Sequence, residues 1–418
     1  MKGIVIKNIS IGDELLIGQV INTNAAWLGE HLSGAGFQMD STLTIGDSEK
    51  AILDAFNACM DADLVLVTGG LGPTADDITK PTVCKFFNTE LEFCQSAYDN
   101  LVSLFRRRGF QMSERNRGQA LLPKSCEYIP NTYGTAPCMW LEKNGVAFAF
   151  MPGVPFEMKG IFTDELLPRI KERFQTIPYE KRVVMTTGIG ESFLADKIKD
   201  WEDALPDFLS LAYLPQYGMV RLRLSGRHED ARLLHETLND EVAKLAALIP
   251  EYIFAMQDQP IERTVFDLLI NKGMTFASAE SCTGGNIAHV FTLIPGSSEV
   301  FKGTAVTYAT SMKTKVLGVP AELIEKYGVV SQEVVEHMVT GVRDLMEADF
   351  GVATTGVAGP SGGTDENPVG TVWIGVASSS GVVSKRFNFG KDRENVINRA
   401  TIAAYELLRE SILASSVS

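Results

Sequence analysis

With 418 residues the chain is too long for one hydrophobic core, since domains average roughly 150 residues, and the length predicts two or three domains. Lys and Arg number 38 against 52 Asp and Glu, and the net charge of −14 disfavours nucleic acid as the main partner. Hydrophobic residues make up 45% and charged residues 22%, a composition that excludes a disordered chain.

The compartment is predicted from what the sequence lacks. The N-terminus contains no apolar stretch of signal-peptide length, and no segment approaches the roughly 18 apolar residues of a membrane span. The six cysteines form no CxxC pair, which is typical of free thiols in a reducing compartment. We therefore expect a cytoplasmic protein with no membrane contact.

Residues 1–174 alternate short apolar strands with amphipathic helices, the pattern of an α/β domain with an open sheet of parallel strands. The predicted elements are a strand over Ile4–Ile11, a helix over Thr23–Leu32, a strand over Met39–Ile45, a helix over Ser48–Met60 capped by Ser48, and a buried strand over Asp63–Thr68. A glycine-rich run over residues 69–77 follows that last strand. Ligands of such sheets bind where the strands end.

Residues 175–258 read as a small connecting α+β domain, with predicted strands over Arg182–Thr187 and Val220–Ser225 and a helix over His228–Leu248. In the second strand Arg221 and Arg223 share one face, and the apolar residues share the other. Residues 259–418 alternate again. The predicted elements there are helices over Arg263–Lys272, Asn286–Leu293 and Glu394–Leu413, and strands over Thr275–Ala279, Ala305–Tyr308, Phe350–Thr355, Thr371–Ala377 and Val382–Phe389.

The first candidate for chemistry is the turn over residues 279–285, Ala-Glu-Ser-Cys-Thr-Gly-Gly, between a strand and a helix. A nucleophile there is exposed at the sheet edge, and the helix N-terminus behind it offers N–H groups to an oxyanion or phosphate. Ser281, Cys282 and Thr283 all qualify. The alternative is a glycine-rich turn merely capped by serine or threonine.

The sequence does not indicate a Ser-His-Asp triad around this turn, because the nearby His289 lies inside the following helix, about two turns beyond Ser281. The segment over residues 308–313 offers a phenol, Tyr308, and an amine, Lys313. A lysine with a lowered pKa can act as the base, although a lone lysine is more often on the surface.

A second glycine-rich loop, residues 354–363, follows a continuous apolar strand and includes Thr355, Gly356 and Gly359. Its backbone amides could form a nest for a phosphate, and the alternative is a long turn. Arg393 and Arg399 open the last helix and could clamp an anion.

The third candidate combines three loops of the first domain. Gly69, Gly70 and Gly72 allow close backbone approach to a phosphate, and the adjacent Asp76 and Asp77 offer oxygen ligands to a divalent ion that activates water. Adjacent carboxylates are also common at helix starts. The neighbouring loops, residues 22–24 and 130–137, bring Asn24, Asn131 and Gly134.

Taken together, these motifs resemble the CinA (competence/damage-inducible) family over essentially the full chain. The resemblance is carried by the motifs at residues 10–19, 22–24, 68–77, 151–158 (which includes Gly153), 279–285, 295–298 and 356–363. It implies a MoaB/MogA-like doubly wound domain over residues 1–174, a KH-type domain over residues 175–258, and an α/β domain similar to the PncC family of nicotinamide mononucleotide (NMN) deamidases over residues 259–418.

The resemblance also implies two activities in pyridine nucleotide salvage. The last domain would hydrolyse the amide of NMN to nicotinic acid mononucleotide and ammonia without a metal. The first domain would cleave ADP-ribose to AMP and ribose 5-phosphate with a divalent ion (Mg, Mn or Co) and K+. We also expect a homodimer whose partners are these small-molecule substrates alone.

The family pattern assigns residues to both sites. Ser281 becomes the nucleophile and Lys313 its base, with Tyr308 beside them; Gly284, Gly285, Thr355, Gly356 and Gly359 become ligand contacts, and Arg399 the anion partner. For the pyrophosphatase the matching residues are Glu14, Asn24, Gly70, Asp76 and Asp77.

The sequence departs from the family at two places, and the first domain has an alternative function. Cys138 stands where the family usually has glycine, and the middle domain has no GxxG loop for RNA, which favours packing or dimerisation there. The rival is a first domain that binds molybdopterin or a nucleotide without catalysis and acts in competence or DNA-damage responses.

Overall fold

The computed structural model describes residues 4–72 and 78–415, which divide into two compact units. The first unit comprises residues up to 180 together with 226–236, and the second comprises 181–225 together with 237 onward. Within the described residues, no helix has both the length and the apolar composition needed to cross a bilayer.

The N-terminal domain is a doubly wound α/β fold. Its elements are β1 (Ile6–Ile11), α1 (Asp13–Leu16), α2 (Thr23–Gly34), β2 (Met39–Ile45), α3 (Glu49–Ala58), β3 (Leu64–Thr68), α4 (Thr79–Phe87), β4 (Leu91–Phe93), α5 (Gln95–Arg108), α6 (Glu114–Arg117), β5 (Leu121–Pro123), β6 (Glu127–Ile129), β7 (Cys138–Lys143), β8 (Val146–Met151), α7 (Pro155–Ile161) and α8 (Leu167–Arg173). The main sheet has the order β2-β1-β3-β8-β7-β6.

This sheet is mixed, and the expectation of parallel strands throughout is wrong at one edge. Strands β2, β1, β3 and β8 are parallel to their neighbours, whereas β7 and β6 run antiparallel. The reason is local: Asn144 and Gly145 join β7 to β8 with φ angles of 51° and 87°. Asn-Gly favours this tight hairpin, which returns the chain antiparallel.

Both faces of the central strands are buried. In β8, Phe148 and Phe150 pack in the core on one face, and Ala147 and Ala149 pack in the core on the other. Strand β3 is buried at every position for the same reason. The predicted cap at Ser48 is confirmed, because its side chain accepts a hydrogen bond from the N–H of Ala51 at 3.3 Å.

The middle segment forms a four-stranded sheet of order β10-β11-β9-β12. Its elements are β9 (Tyr179–Thr187), α9 (Glu191–Asp203), β10 (Leu209–Gln216), β11 (Met219–Arg227), α10 (Ala231–Leu248) and β12 (Ile253–Ala255). The two predicted faces of β11 are confirmed: Val220, Leu222 and Leu224 are buried, and the arginines between them are partly exposed.

The C-terminal domain has a sheet of order β14-β13-β15-β16-β17. Its elements are α11 (Ile261–Lys272), β13 (Phe276–Glu280), α12 (Asn286–Thr292), β14 (Phe301–Val306), α13 (Thr310–Leu317), α14 (Ala321–Tyr327), α15 (Gln332–Leu345), β15 (Phe350–Gly356), β16 (Thr371–Ser378), β17 (Gly381–Asn388) and α16 (Arg393–Ala414). Strand β13 pairs in parallel with both β14 and β15. The segments that follow these three strands therefore meet at one edge of the sheet.

Candidate functional site

Ser281 and Lys313 meet at this edge of the C-terminal sheet. Ser281 follows β13, and its N–H donates to the carbonyl of Thr354 in β15 at 3.1 Å. Lys313 lies in α13, and its Nζ contacts Ser281 Oγ at 3.0 Å and the Thr307 carbonyl at 2.7 Å. The structure thus places beside each other the two residues assigned as nucleophile and base.

The surroundings of Lys313 favour a neutral amine. Its side chain is only 1% exposed, and this burial lowers the pKa of the amine below that of a free lysine. Both of its hydrogen-bond partners, the Ser281 hydroxyl and the Thr307 carbonyl, are neutral oxygens. An amine of this kind can accept the proton of a serine hydroxyl.

Cys282, the second candidate nucleophile, is buried. Burial raises the pKa of its thiol to about 12, so the reactive thiolate is scarce at neutral pH. Thr283 is also buried, and its hydroxyl is engaged with Glu280 and Thr354. Of the three residues left open by the sequence, Ser281 is the one whose hydroxyl contacts the amine of Lys313, at 3.0 Å.

Glu280 is the main site residue that sequence reasoning missed. Its carboxylate is fully buried and accepts hydrogen bonds from the N–H groups of Gly285 at 2.9 Å, Ile287 at 3.1 Å and Ala288 at 3.0 Å. The Thr283 hydroxyl donates to the same carboxylate at 2.8 Å. Glu280 therefore ties the turn after β13 to the start of α12.

This arrangement corrects the expectation that α12 offers its N-terminal N–H groups to the substrate. Those groups are occupied by Glu280, and the N–H of Gly284 already donates to the Ser281 carbonyl at 3.1 Å. Within the described part of the chain, the N–H groups of Cys282 and Thr283 are the ones in this turn without a backbone or side-chain acceptor. They are the better candidates for oxyanion donors.

Tyr308 and the glycine-rich loop are joined by an arginine. Tyr308 is 59% exposed, and its hydroxyl accepts a hydrogen bond from Arg393 at 2.8 Å. The other arm of Arg393 donates to the carbonyl of Gly359 at 2.6 Å. Arg393 therefore connects the segment after β14 with the loop after β15.

Arg399, the predicted anion partner, is directed elsewhere. It lines a separate cavity of about 570 Å³ together with Tyr252 and Phe387. Thr401, two residues further along α16, faces the other way and bonds Asn286 at 2.9 Å. The structure brings Arg393, and not Arg399, to the residues around Tyr308.

The side chain of Thr355, a predicted ligand contact, has a structural role. Thr355 is 1% exposed, and its hydroxyl donates to the carbonyl of Val329 at 2.8 Å. It therefore holds the chain before α15 against β15. Gly356 is the last residue of β15 and leads into the rest of the glycine-rich loop.

A second site lies in the N-terminal domain, at the ends of β1, β3 and β8. A cavity of about 440 Å³ opens there. The predicted residues that line it are Glu14, Asn24, Gly69, Gly70, Gly72 and Gly153. Gly69 has φ 103°, and a Cβ atom there would lie 2.1 Å from the Ile11 carbonyl, so only glycine fits.

Asn131 and Gly134 support the cavity wall from behind. Asn131 donates to Glu157 and to the Ala136 carbonyl, each at 2.7 Å, and accepts the N–H of Gly134 at 3.0 Å. A Cβ atom on Gly134 would lie 1.8 Å from the Glu157 carboxyl carbon. Both residues therefore position Glu157, which lines the cavity.

Glu157 and Gln119 are lining residues that the sequence did not single out. Burial raises the pKa of the Glu157 carboxyl. The motif at residues 151–158, which contains Glu157, was the sequence signal that could have identified it. Gln119 is 2% exposed and follows no motif. Cys138, the first residue of β7, is buried in the core and does not line this cavity.

Of the three predicted metal ligands, Glu14 lies within the described residues. Asp76 and Asp77 lie outside the described residues, while Glu14 lines the cavity with Asp47. Within the described ranges, no group of three or more His, Cys, Asp or Glu side chains is arranged to hold a metal ion. The described side chains alone do not make a metal centre, and the divalent ion stays a prediction.

Three family models match successive parts of the chain. They are a probable molybdopterin binding domain over residues 7–172, a damage-inducible protein CinA KH domain over residues 181–255, and a CinA C-terminal domain over residues 258–412.

Full-length relatives are similar along nearly the whole chain. A CinA-like protein of Cytophaga hutchinsonii is 42% identical over 405 residues, which cover 97% of each chain. A putative competence-damage inducible protein of Caldicellulosiruptor saccharolyticus is 37% identical and covers 97% of this chain and 98% of its own. A crystal structure of a CinA superfamily protein from Klebsiella pneumoniae is 34% identical, with a TM-score of 0.36, over 37% of this chain and 97% of its own.

Proposed function

Since the chain belongs to the CinA family, we propose that its C-terminal domain is a Ser/Lys amidohydrolase that converts NMN to nicotinic acid mononucleotide and ammonia. The observation that carries the proposal is the 3.0 Å contact between Lys313 Nζ and Ser281 Oγ. A buried amine beside a serine hydroxyl can activate that hydroxyl for nucleophilic attack on a carboxamide.

In the proposed acylation step, neutral Lys313 accepts the proton of Ser281, and Oγ forms a bond to the carboxamide carbon. The N–H groups of Cys282 and Thr283 stabilise the oxyanion that develops on the carbonyl oxygen. The C–N bond then breaks, and the Lys313 ammonium returns its proton to the departing nitrogen, which leaves as ammonia.

Deacylation uses the same two groups in reverse. Lys313 takes a proton from water, the resulting hydroxide attacks the acyl carbon, and Ser281 Oγ leaves and recovers the proton from Lys313. The Thr307 carbonyl, 2.7 Å from Nζ, holds the amine in place through both steps. Arg393 lies near enough to the loop at Gly359 to attract the substrate phosphate.

The test is ammonia release from NMN by the purified full chain and two variants. Ser281→Ala and Lys313→Met should each lose nearly all turnover. Lys315→Met serves as the matched control, because Lys315 is exposed on the same helix and should leave turnover unchanged. Normal ammonia release by either Ser281→Ala or Lys313→Met would refute the assignment.

A second activity, cleavage of ADP-ribose to AMP and ribose 5-phosphate, is proposed for the N-terminal cavity. It is favoured by the convergence of Glu14, Asn24 and three glycines of the β3 loop on one cavity at the ends of parallel strands. The competing function is binding of molybdopterin or a nucleotide without catalysis, because the matching family model describes a probable molybdopterin binding domain.

AMP release from ADP-ribose distinguishes the two functions. We expect release by the full chain when Mg, Mn or Co and K+ are added, and a strong loss in Glu14→Gln. Glu30→Gln, at an exposed position on α2, is the matched control. Tight molybdopterin binding without AMP release under any of these ions would favour the binding module.

A further inference from the structure

Two side-chain amides of the N-terminal cavity have oxygens without partners. Gln119 Oε1 and Asn24 Oδ1 are both buried, and neither finds a hydrogen-bond donor among the residues that the structure describes. Both residues line the cavity, and the Gln119 side chain is almost fully buried, with 2% exposure. Buried acceptors are nearly always paired, so two unpaired ones beside a cavity indicate donors on a ligand.

The orientation of each amide follows from its neighbours. Asn24 Nδ2 donates to the Gly153 carbonyl at 2.7 Å, and Gln119 Nε2 donates to the Leu71 carbonyl at 3.4 Å. A carbonyl oxygen can only accept, so each amide must turn its NH2 group toward it. The oxygens are therefore the atoms left for the ligand.

The charges of the cavity agree with this polarity. Its ionisable lining residues are Glu14, Asp47 and Glu157, and no lysine, arginine or histidine lines it within residues 4–72 and 78–415. A wall of carboxylates and amide oxygens accepts hydrogen bonds from N–H and O–H groups of a ligand. The wall thus suits the uncharged, donor-bearing end of a nucleotide.

We propose that Gln119 and Asn24 bind the exocyclic amino group of a heterocyclic base, as carried by adenine or a pterin. This inference rests on the proposed function of the cavity and names the part of the ligand that the wall selects. Both ligand sources present the same chemistry, an NH2 group on a flat ring, to two oxygen acceptors.

Binding to the full chain tests the proposal without relying on catalysis. Isothermal titration compares AMP with purine riboside 5′-phosphate, which differs only by lacking the amino group. A parallel pair compares pterin with lumazine, in which an oxygen replaces the amino group. We expect at least about tenfold weaker binding of the analogue in one pair, because a buried acceptor is left unpaired.

The variants assign that preference to the two amides. Gln119→Met and Asn24→Ala each remove one acceptor and should reduce the amino preference at least severalfold, whereas Asn57→Ala, at an exposed position of α3, should retain it. Because Gln119→Met changes a buried residue, Asn24→Ala, at a half-buried position, provides the independent measurement.

The outcomes separate the two proposals. A preference confined to the AMP pair assigns the wall to adenine, and one confined to the pterin pair assigns it to a pterin. Equal affinity within both pairs, absence of binding by all four probes, or an amino preference that survives both variants would overturn the inference. An amino preference without AMP release from ADP-ribose would overturn only the pyrophosphatase.

Discussion

Replacing Glu280 with glutamine tests whether the buried carboxylate holds the nucleophile turn in place. One carboxylate oxygen accepts the N–H groups of Gly285 and Ile287, and the other accepts that of Ala288. Glutamine keeps one acceptor and converts the other into an NH2 group. Whichever way the amide turns, at least one backbone N–H of α12 faces a donor.

The cost is local and large. Losing one hydrogen bond to a charged group costs about 1.5–3 kcal/mol, and removing a negative charge from a helix N-terminus costs about 0.3–2 kcal/mol. We therefore expect α12 to lose about 2–5 kcal/mol of local stability in Glu280→Gln, which speeds amide hydrogen exchange of its first turn by roughly 30-fold to 5000-fold. Deamidation should slow at least tenfold in kcat with a smaller change in KM, because the turn that carries Ser281 loosens.

The assay is hydrogen exchange over residues 281–292 in the full chain, together with NMN kinetics. Glu299→Gln, an exposed position in the same domain, is the control and should match the unsubstituted chain in both. Unchanged exchange in Glu280→Gln would refute the structural reasoning. Faster exchange with unchanged kcat would refute only the positioning role.

Three further predictions concern proton equilibria and backbone geometry. Because burial lowers the pKa of Lys313, kcat/KM for deamidation should rise with pH along a limb whose midpoint lies below 10.5, and Lys313→Arg should abolish that limb together with activity. Burial raises the pKa of Glu157 above 4.5, so the folded state binds more protons than the unfolded state just above that pH; stability should fall as pH rises through this window, and Glu157→Gln should flatten the urea midpoints measured across it. Gly69→Ala should cost about 2–4 kcal/mol of unfolding free energy, since its Cβ would meet the Ile11 carbonyl, whereas Gly109→Ala, also at positive φ but in open space, should cost about 1 kcal/mol in the same denaturant titration.

Elements with strong local signals were predictable from the sequence. The strand over Met39–Ile45 matches the observed bounds, and Ser48 caps α3 as expected. The Asn144-Gly145 turn carried an equally clear hairpin signal that the pattern of alternating strands and helices obscured. Helix α9 was not predicted, although Leu194, Ile198 and Trp201 repeat at helical spacing on its buried face.

The site was predictable only in part. Ser281 and Lys313 are 32 positions apart, and their contact depends on three parallel strands ending at one edge, which local patterns do not reveal. The resemblance supplied that pairing. The resemblance could not distinguish Arg393 from Arg399. The two arginines lie six positions apart on one helix and face different surroundings, which only the folded chain reveals.

Other contributions were hidden for a different reason. Glu280 acts on the backbone N–H groups of Gly285, Ile287 and Ala288, and no side-chain pattern marks an acceptor of main-chain hydrogen bonds. Gln119 reaches the N-terminal cavity from a short turn whose sequence carries no motif. Both roles depend on burial and on distant partners, which appear only when the chain is folded.

The core of the second unit limits how freely the last domain can be exchanged between proteins. Val183 and Met185 of β9 and Phe254 of β12 belong to the same hydrophobic cluster as Val265 and Phe266 of α11. A chimaera that joins this middle sheet to a relative's last domain must therefore match apolar surfaces as well as the linker. The middle sheet, for which no chemistry is predicted, therefore has to be exchanged together with the last domain whose apolar surface it covers.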